Sequence, residues 1–500
     1  MTAITSTLAA GHNWAITALV LLLTPIILLL VRSVYRPPLA LGTGWSDKGW
    51  PFIGSLRFFS ARGDYFVEGK QRSPNGYFNF YCGNHSIVAL SGEAARTCFY
   101  TIRGLDLNAG FRVLYALGPD LNDILGRNAS SYFNLLFKRF ASTANLGSVL
   151  SYFHRDINAC YEKIDTSKPV EPFEFMYPLV YKLTHRTLGC HDIADDPKLA
   201  AKTLKLFEPL DTNSTFQIIF PSLPTFQGLK KFVAGTRLHL TLSKIVADRK
   251  KTGRSNDDAM QVMIDNGDSN MSISMFIMGG LFAGFFNTGV IAAWVLAHIA
   301  ADDEWYGKMR AEVDAAIAKH RLSDDETPVD ILQRLSIDEW ESEFSLIDLG
   351  LRETIRIRLP GATVRRNISG KDLVLGNTGV VVPKDGFTMY ALADAHLDSS
   401  IYKDPLKWDP SRYLPERAED KKVAHAYIGW GSGLQPCLGI KLAKLEVAVI
   451  TATFFAYFDF NLCDKNGNAI SQLPAFDRNE LQPKPPLQKV YLKCTPRSKV

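Results

Sequence analysis

The chain has 500 residues, of which 46% are hydrophobic, 11% aromatic and 21% charged, with a formal net charge of +5 at pH 7. Such a chain can bury a sizeable core in one large domain or two smaller ones. No Lys/Arg block or basic–aromatic alternation points to nucleic acid, and the seven cysteines (Cys82, Cys98, Cys160, Cys190, Cys437, Cys463 and Cys494) form no CxxC pair. A disulfide framework, a structural zinc site and covalent c-type haem attachment are therefore not expected, and a reducing compartment fits.

Trp14 to Val31 is an uncharged run of 18 residues, close to the length that crosses a bilayer core. Pro25 lies inside it and is tolerable in a membrane helix. Arg32 and Arg36 follow the run and no Lys or Arg precedes it, so the charge bias predicts a single anchor with the body of the protein in the cytosol. The rival reading, a cleaved signal peptide, lacks a basic leader and an Ala-x-Ala site. Residues 37–54, with Pro37, Pro38, Pro51 and Gly54, then form a hinge that keeps the body at the membrane. The expected organisation is an anchor over 1–36 with its helix over about 14–31, a hinge over 37–54 and one catalytic domain over 55–500.

The body reads as mainly helical with small β segments, "HSIVAL" and "LVLGNTGVVVP" among them. An apolar, Pro-containing loop around Phe216, Ile219, Pro221 and Phe226 ends in Lys230 and Lys231. It reads equally as a packed loop or as a segment dipping into a membrane interface. Ser272 to Ala301 is long enough for a second span, but it lacks basic flanks and contains Asn287. A buried central helix is expected there instead. Glu304 to His320 is amphipathic, with Met309, Val313 and Ile317 on one face.

In "LRETIRIRLP" Glu353 and Arg356 stand at i and i+3, so they share a helix face and can pair. In "YIGWGSGLQPCLGIKLAKLE" Cys437 sits in a turn containing Gly431, Gly433, Pro436 and Gly439, just ahead of a helical pattern. The other cysteines read as inert buried residues. Around Cys437, backbone N–H groups and the following helix N-terminus are expected to stabilise a thiolate. A thiolate so presented serves as a nucleophile or as a metal ligand, and no His with Asn or Asp signature supports the nucleophile.

Trp430, Gly433, Cys437, Gly439, Ala443 and Glu446 stand at the spacing of the haem-ligand loop of the cytochrome P450 superfamily, which this stretch resembles. Two positions depart from the family pattern: Trp430 replaces its Phe and Gln435 replaces its Arg. "LRETIRIRLP" resembles the family's Glu-x-x-Arg helix. "HLDSSIYKDPLKWDPSRYLPER" resembles the segment after it, with His396, Trp408 and Arg412 in place. The resemblance covers essentially the whole chain. It implies a mainly α fold with small β-sheets, preceded here by one N-terminal transmembrane helix, with haem b bound through Cys437 as axial ligand of the iron. It also implies a network of Glu353, Arg356 and Arg412 that locks the loop under the haem.

In the central helix the family's oxygen-activation signature aligns with Ala283, Gly284, Phe285, Phe286, Asn287 and Thr288. Phe286 takes the acid position and Asn287 the usual Thr position, so the acid–alcohol proton relay is missing, although Thr288 is next in line. An Asn-Thr pair there is similar to the sterol 7α-hydroxylase and prostacyclin synthase branch, which contains both hydroxylases and isomerases. Asn287 is expected to hold a distal water or, alternatively, to cap a local kink. By resemblance, Arg365 or Arg366 pairs with a haem propionate. Lys138, beside Arg139, resembles the basic helix that meets the other propionate or a reductase. Gln435 can hydrogen-bond a propionate but brings no charge. Phe282, Phe285 and Phe286, with Ala362 and Val364 from the turn after Pro360, are expected to line an apolar substrate pocket.

The expected activity is monooxygenation of a lipophilic substrate (terpenoid, steroid or related secondary metabolite). O2 is the oxidant and NADPH electrons arrive through a cytochrome P450 reductase, with cytochrome b5 as an optional second donor. The expected location is the endoplasmic reticulum membrane. The alternatives are a haem-thiolate isomerase that needs no external electrons and a non-catalytic haem-binding protein.

Overall fold

The computed structural model describes residues 36–114, 121–211, 215–219, 225–475, 477–480 and 483–497, and ahead of these residues 14, 16–21, 23, 24 and 27. Those N-terminal residues are helical and exposed. The rest of the expected anchor, and Pro221 in the apolar loop, lie outside the described residues. Among the described residues one helix, Asn270–Ala300, is long and apolar enough to cross a membrane. Nearly its whole second half is buried in protein, from Val290 at 3% exposure to Ile299 at 0%, which bears out the central core helix.

The helices that build and brace the site are α1 (Ala129–Phe140), α2 (Thr143–Tyr161), α3 (Pro172–Leu188), α4 (Phe226–Thr252), α5 (Asn270–Ala300), α6 (Asp303–His320), α7 (Ser345–Arg358) and α8 (Ile440–Tyr457). The strands are β1 (Trp45–Asp47), β2 (Phe78–Cys82), β3 (His85–Leu90), β4 (Leu105–Asp106), β5 (Ala362–Asn367), β6 (Leu373–Val374), β7 (Val381–Val382), β8 (Phe387–Ala391), β9 (Phe458–Cys463) and β10 (Tyr491–Pro496). Six of them form one sheet in the order β1-β2-β3-β8-β5-β4, and β6–β7 and β9–β10 are antiparallel ribbons. "HSIVAL" is β3 as expected. "LVLGNTGVVVP" is not one strand but the β6–β7 hairpin. Gly376 (φ +51°) and Gly379 (φ +75°) take backbone conformations that turn the chain back and that other residues rarely adopt.

The chain divides into two compact units. The smaller draws on Met1–Ala116, Thr215–Ser222 and Val364–Tyr390, the larger on Leu117–Ser214, Leu223–Thr363 and Ala391–Val500. In the smaller unit the β2–β3 hairpin packs an aromatic cluster. Phe80 lies 4.9 Å from Phe58 and 5.3 Å from Tyr65, ring to ring.

In the larger unit α5 is the core, and its glycines set how closely α3 approaches. A Cβ on Gly280 would stand 3.0 Å from Leu188 Cβ, and one on Gly284 3.4 Å from Thr184 Cγ2. Thr184 and Leu188 are four apart on α3, as Gly280 and Gly284 are on α5. A ridge on one helix therefore enters a groove on the other. Behind them, α6 supplies what α7 lacks. The residue before α7, Phe344, offers no capping side chain, and Glu312 of α6 accepts from Leu346 N (2.6 Å), Ile347 N (3.2 Å) and Ser345 Oγ (3.1 Å). A carboxylate on those orphan N–H groups also favours the helix dipole. Met309, Val313 and Ile317 are buried on the same helix, as their spacing predicts.

Candidate active site

α7 positions Glu353 and Arg356 one turn apart, both fully buried. Arg356 donates to both oxygens of Glu353 at 2.8 and 2.7 Å and to His396 O. Arg412 Nε donates to Glu353 Oε1 at 3.1 Å, which brings the predicted three together. The structure adds partners that the spacing did not reveal. Tyr413 Oη and Asp409 N donate to Glu353 at 2.9 and 3.1 Å, and buried Glu419 accepts from Arg412 at 2.9 Å. Two buried carboxylates thus face two buried guanidiniums, which offsets the cost of taking each ion out of water. Glu419 follows Arg412 by seven residues, but the two stand on separate short turns, Pro410–Tyr413 and Glu419–Lys421, rather than on one helix, so helical pairing rules could not find it. His396 accepts from Ile428 N at 3.0 Å and stacks on Tyr427 (5.3 Å), which ties the network to the chain entering the Cys437 loop.

In that loop Gly431 (φ +69°) and Gly433 (φ +62°) take the left-handed conformation. A Cβ on Gly431 would lie 3.0 Å from Gln435 O. Cys437 N donates to Trp430 O at 2.7 Å, closing the turn, and Gly439 is the residue before α8. Cys437 is the one exposed cysteine. The expected thiolate cradle needs correction. One backbone N–H, that of Gly439, lowers the thiol pKa, and the protein crowded around the opening outweighs it and pushes the thiol up. That N–H is what the loop itself offers a thiolate, and a cation bound at the sulfur would stabilise it further. That donor chemistry fits haem iron. Gln435 is half-buried in the same turn.

On α5 the exposed positions along the middle of the helix are Gly279, Ala283 and Asn287, at i, i+4 and i+8. They form one stripe, with half-buried Met275 and Phe282 beside it. Asn287 is its hydrogen-bonding side chain, and its amide makes no hydrogen bond among the described residues. The kink-capping alternative gains no support, because no hydrogen bond joins the Asn287 amide to backbone among the described residues. Several expectations are corrected by the 100° turn between successive helical residues. Gly284 faces Thr184 of α3. Thr288 is buried, 8% exposed. Phe285 packs into Tyr177 (4.3 Å) and Tyr181 (5.3 Å). Phe286 stacks on Phe207 (5.4 Å) and lines a separate crevice with Tyr177, Val290 and Pro483. Of the three phenylalanines only Phe282 borders the stripe. Ala362 and Val364 are buried in β5.

Lys138 is exposed in the last turn of α1 and makes no ion pair among the described residues. In the smaller unit, Arg365 is buried, donates to Phe99 O at 2.8 Å and lies over the Phe99 ring (4.9 Å). Burial lowers its pKa. Asp106 acts on it from a distance, it makes no ion pair among the described residues, and its Nε lacks a partner there. Arg366 pairs with Asp385 at 3.0 Å, and its Nε also lacks one. A cation with an orphaned N–H suits an anionic group such as a propionate. Glu446, in α8, is buried with Oε1 unpartnered, and burial holds its carboxyl well above the usual range.

The family model described as "Cytochrome P450" matches residues 151–487. The cytochrome P450 monooxygenase AacuE of Aspergillus aculeatus is 30% identical over 97% of this chain and 99% of its own. The cytochrome P450 monooxygenase nsrP of Aspergillus novofumigatus is 30% identical over 90% of each. Among solved structures, the retinoic acid-bound cyanobacterial CYP120A1 superposes with a TM-score of 0.70 at 20% identity, covering 93% of this chain and all of that one. Buried Glu353–Arg356–Arg412, the Cys437 turn and these similarities together place the chain in the cytochrome P450 family, as a haem monooxygenase that uses O2 and electrons from a reductase.

Proposed function

We propose that this monooxygenase inserts one oxygen atom into an apolar C–H bond of a bulky lipophilic substrate, a terpenoid, steroid or related secondary metabolite. The observation that carries the reading is the α5 stripe, whose open face offers Gly279, Ala283, Met275 and Phe282 and a single polar side chain, Asn287. Small and apolar residues there accept a bulky carbon skeleton, and one amide can orient one polar group or one water.

When bound, the haem supplies the iron at which O2 is activated. Cys437 would hold that iron, and the Glu353 network holds the segment leading into the Cys437 loop. The Asn287 amide, on the open face of α5, would hold a water there and pass on a proton. An NADPH–cytochrome P450 reductase is the proposed electron donor, with cytochrome b5 as an auxiliary. The proposed location is the endoplasmic reticulum membrane, with the run from Trp14 to Val31 as a single anchor and the body cytosolic. Exposed Phe226, Leu229, Phe232 and Leu240 on α4 support an interfacial face.

The test is turnover of a panel of lipophilic compounds with NADPH and reductase, read by product mass and by the substrate-induced spectral shift. A second reading is favoured by the absence of any carboxyl or hydroxyl on the α5 stripe: an isomerase that rearranges a hydroperoxide. Turnover of a hydroperoxide without reductase, and none with NADPH, would replace the first reading by the second.

A further inference from the structure

The smaller unit contains a strained surface turn that the proposed chemistry does not use. Between Gly49 and Gly54 the chain reverses tightly. Trp50 N donates to Gly54 O at 2.9 Å and Gly54 N to Trp50 O at 2.8 Å. Phe52 is held at φ +67°, a conformation costly for an aromatic residue and kept where the surroundings impose it. Gly49 and Gly54 cannot be replaced without collision, since a Cβ on either would stand 2.2 or 2.0 Å from neighbouring backbone. Asp47 braces the turn from inside, accepting from Gly49 N (2.9 Å), Ser55 Oγ (2.6 Å) and Tyr65 Oη (3.0 Å).

This scaffold presents apolar side chains outward. Trp50 is 64% exposed and Leu56 48%. They border an open groove of about 650 Å³ that Lys48, Pro51 and Arg57 also line. The carboxylate in that lining, Asp47, is spent on the turn itself. Arg57 pairs with Glu68. Asp47 keeps its negative charge, because its partners are neutral donors. Exposed Lys48 and the Arg36 guanidinium on the Lys48 and Trp50 carbonyls make no ion pair among the described residues and together outweigh it, so the charge at the turn is positive.

A separate contact fixes where the groove stands on the chain's path. Arg36 donates through Nη1 to Lys48 O at 2.7 Å and through Nη2 to Trp50 O, and its guanidinium lies over the Tyr81 ring at 4.5 Å. Tyr81 Oη in turn donates to Pro37 O at 2.8 Å. Arg36 is five residues past Val31, the end of the apolar run, so Arg36 stands within about 18 Å of that end by chain length alone and the turn one arginine side chain beyond it. Trp is favoured at the headgroup level of a bilayer and Lys beside it attracts anionic lipid.

We propose that the Trp50 turn is an interfacial wedge and that its groove takes the headgroup of an anionic phospholipid. Lys48 meets the phosphate, Trp50 and Leu56 enter the headgroup–acyl boundary, and Arg36 latches the membrane exit to the wedge. The inference rests on the proposed anchor over Trp14 to Val31.

The test uses the full-length haem-loaded protein in vesicles of phosphatidylcholine, with or without phosphatidylserine, whose acyl chains are brominated near the headgroup. Co-flotation with vesicles reports the anchor. The difference in fluorescence quenching between the protein and its Trp50→Phe variant reports the turn. Trp50 is expected to account for a clear share of the quenching, larger with phosphatidylserine, and Lys48→Glu should remove that increase. If the protein floats but Trp50→Phe leaves quenching unchanged, the wedge is wrong and the anchor stands. If phosphatidylserine makes no difference, the headgroup assignment is wrong. If the protein fails to float, the anchor itself falls and the wedge with it. Unchanged haem absorbance in both variants confirms that the fold is intact.

Discussion

Around Glu353 every buried charge meets its opposite, whereas around Cys437 and Asn287 the side chains face open space. Both regions belong to the larger unit and both carry family motifs, yet they are built on opposite principles. Glu353, Arg356, Arg412 and Glu419 are satisfied within the fold, by one another and by Tyr413, Asp409 N and the His396 and Lys407 carbonyls. Cys437 is exposed at the mouth of its turn and the Asn287 amide makes no hydrogen bond among the described residues, so each is left available to something that binds. A closed network fixes position and an open one receives a ligand.

The largest break in this comparison is expected at Cys437. Cys437→Ala should remove the thiolate-type spectrum of the reduced CO complex and all turnover, and a retained spectrum would overturn the ligand assignment. Next comes Glu353→Ala, which leaves Arg356 and Arg412 buried without their anion. Removing one partner of such a network costs about 3–5 kcal/mol, so denaturant unfolding should shift to much lower midpoints or the protein should fail to hold haem. Glu353→Asp, retaining the charge on a shorter arm, should recover part of the loss.

Glu312→Ala should cost about 1–2 kcal/mol, the usual scale of a lost helix cap, measured by thermal unfolding. Glu446 sharpens the comparison from the other side, as a buried carboxyl with one oxygen unpartnered. Its folded pKa is raised, so the folded state favours the protonated acid. Its contribution is fully present below the ordinary carboxyl pKa and declines as pH rises above it. Glu446→Gln should therefore flatten the loss of stability between acid and neutral pH without moving the CO spectrum. The smallest effect is expected at Asn287→Ala, with a few-fold fall in product formed per NADPH consumed and a normal haem spectrum. Unchanged coupling would remove Asn287 from the proton path.

Acid should act through a different set. Burial holds His154 near about 4 and His185 near about 3. His298 lies well below the usual range, with the Arg358 charge adding to burial. Arg358 Nε donates to His298 Nε2 at 3.0 Å, so protonating His298 destroys an acceptor and sets two cations side by side. These groups stabilise the fold above the ordinary histidine pKa, and stability should fall as pH drops below it.

The motifs were legible in the sequence wherever chemistry depends on local spacing. Glu353 with Arg356, the Cys437 turn and the α5 core helix follow from one helix turn, one glycine turn and one apolar run. Spacing failed where a helix face had to be chosen. Phe285 and Phe286 read as pocket residues because they are apolar and adjacent to Asn287, but the helix turns them toward α3 and Phe207. Glu419 and Glu312 were not legible because each serves a residue that only the tertiary fold brings near. The hairpin of β6 and β7 was not legible as two strands, because the positive φ of Gly376 and Gly379 that reverses the chain is a backbone property that composition does not show.

The glycine row on the far side of α5 has a consequence for how such a cavity changes. Gly280 and Gly284 touch nothing on the open stripe, yet they let α5 settle against Leu188 and Thr184. A methyl at Gly280 would lever the helix away from α3 and shift the wall that Ala283 and Asn287 present. The room available to a substrate is thus adjustable from behind, by residues that no substrate ever meets. Variants at Leu188 or Thr184 could retune substrate size while leaving every residue of the open face in place.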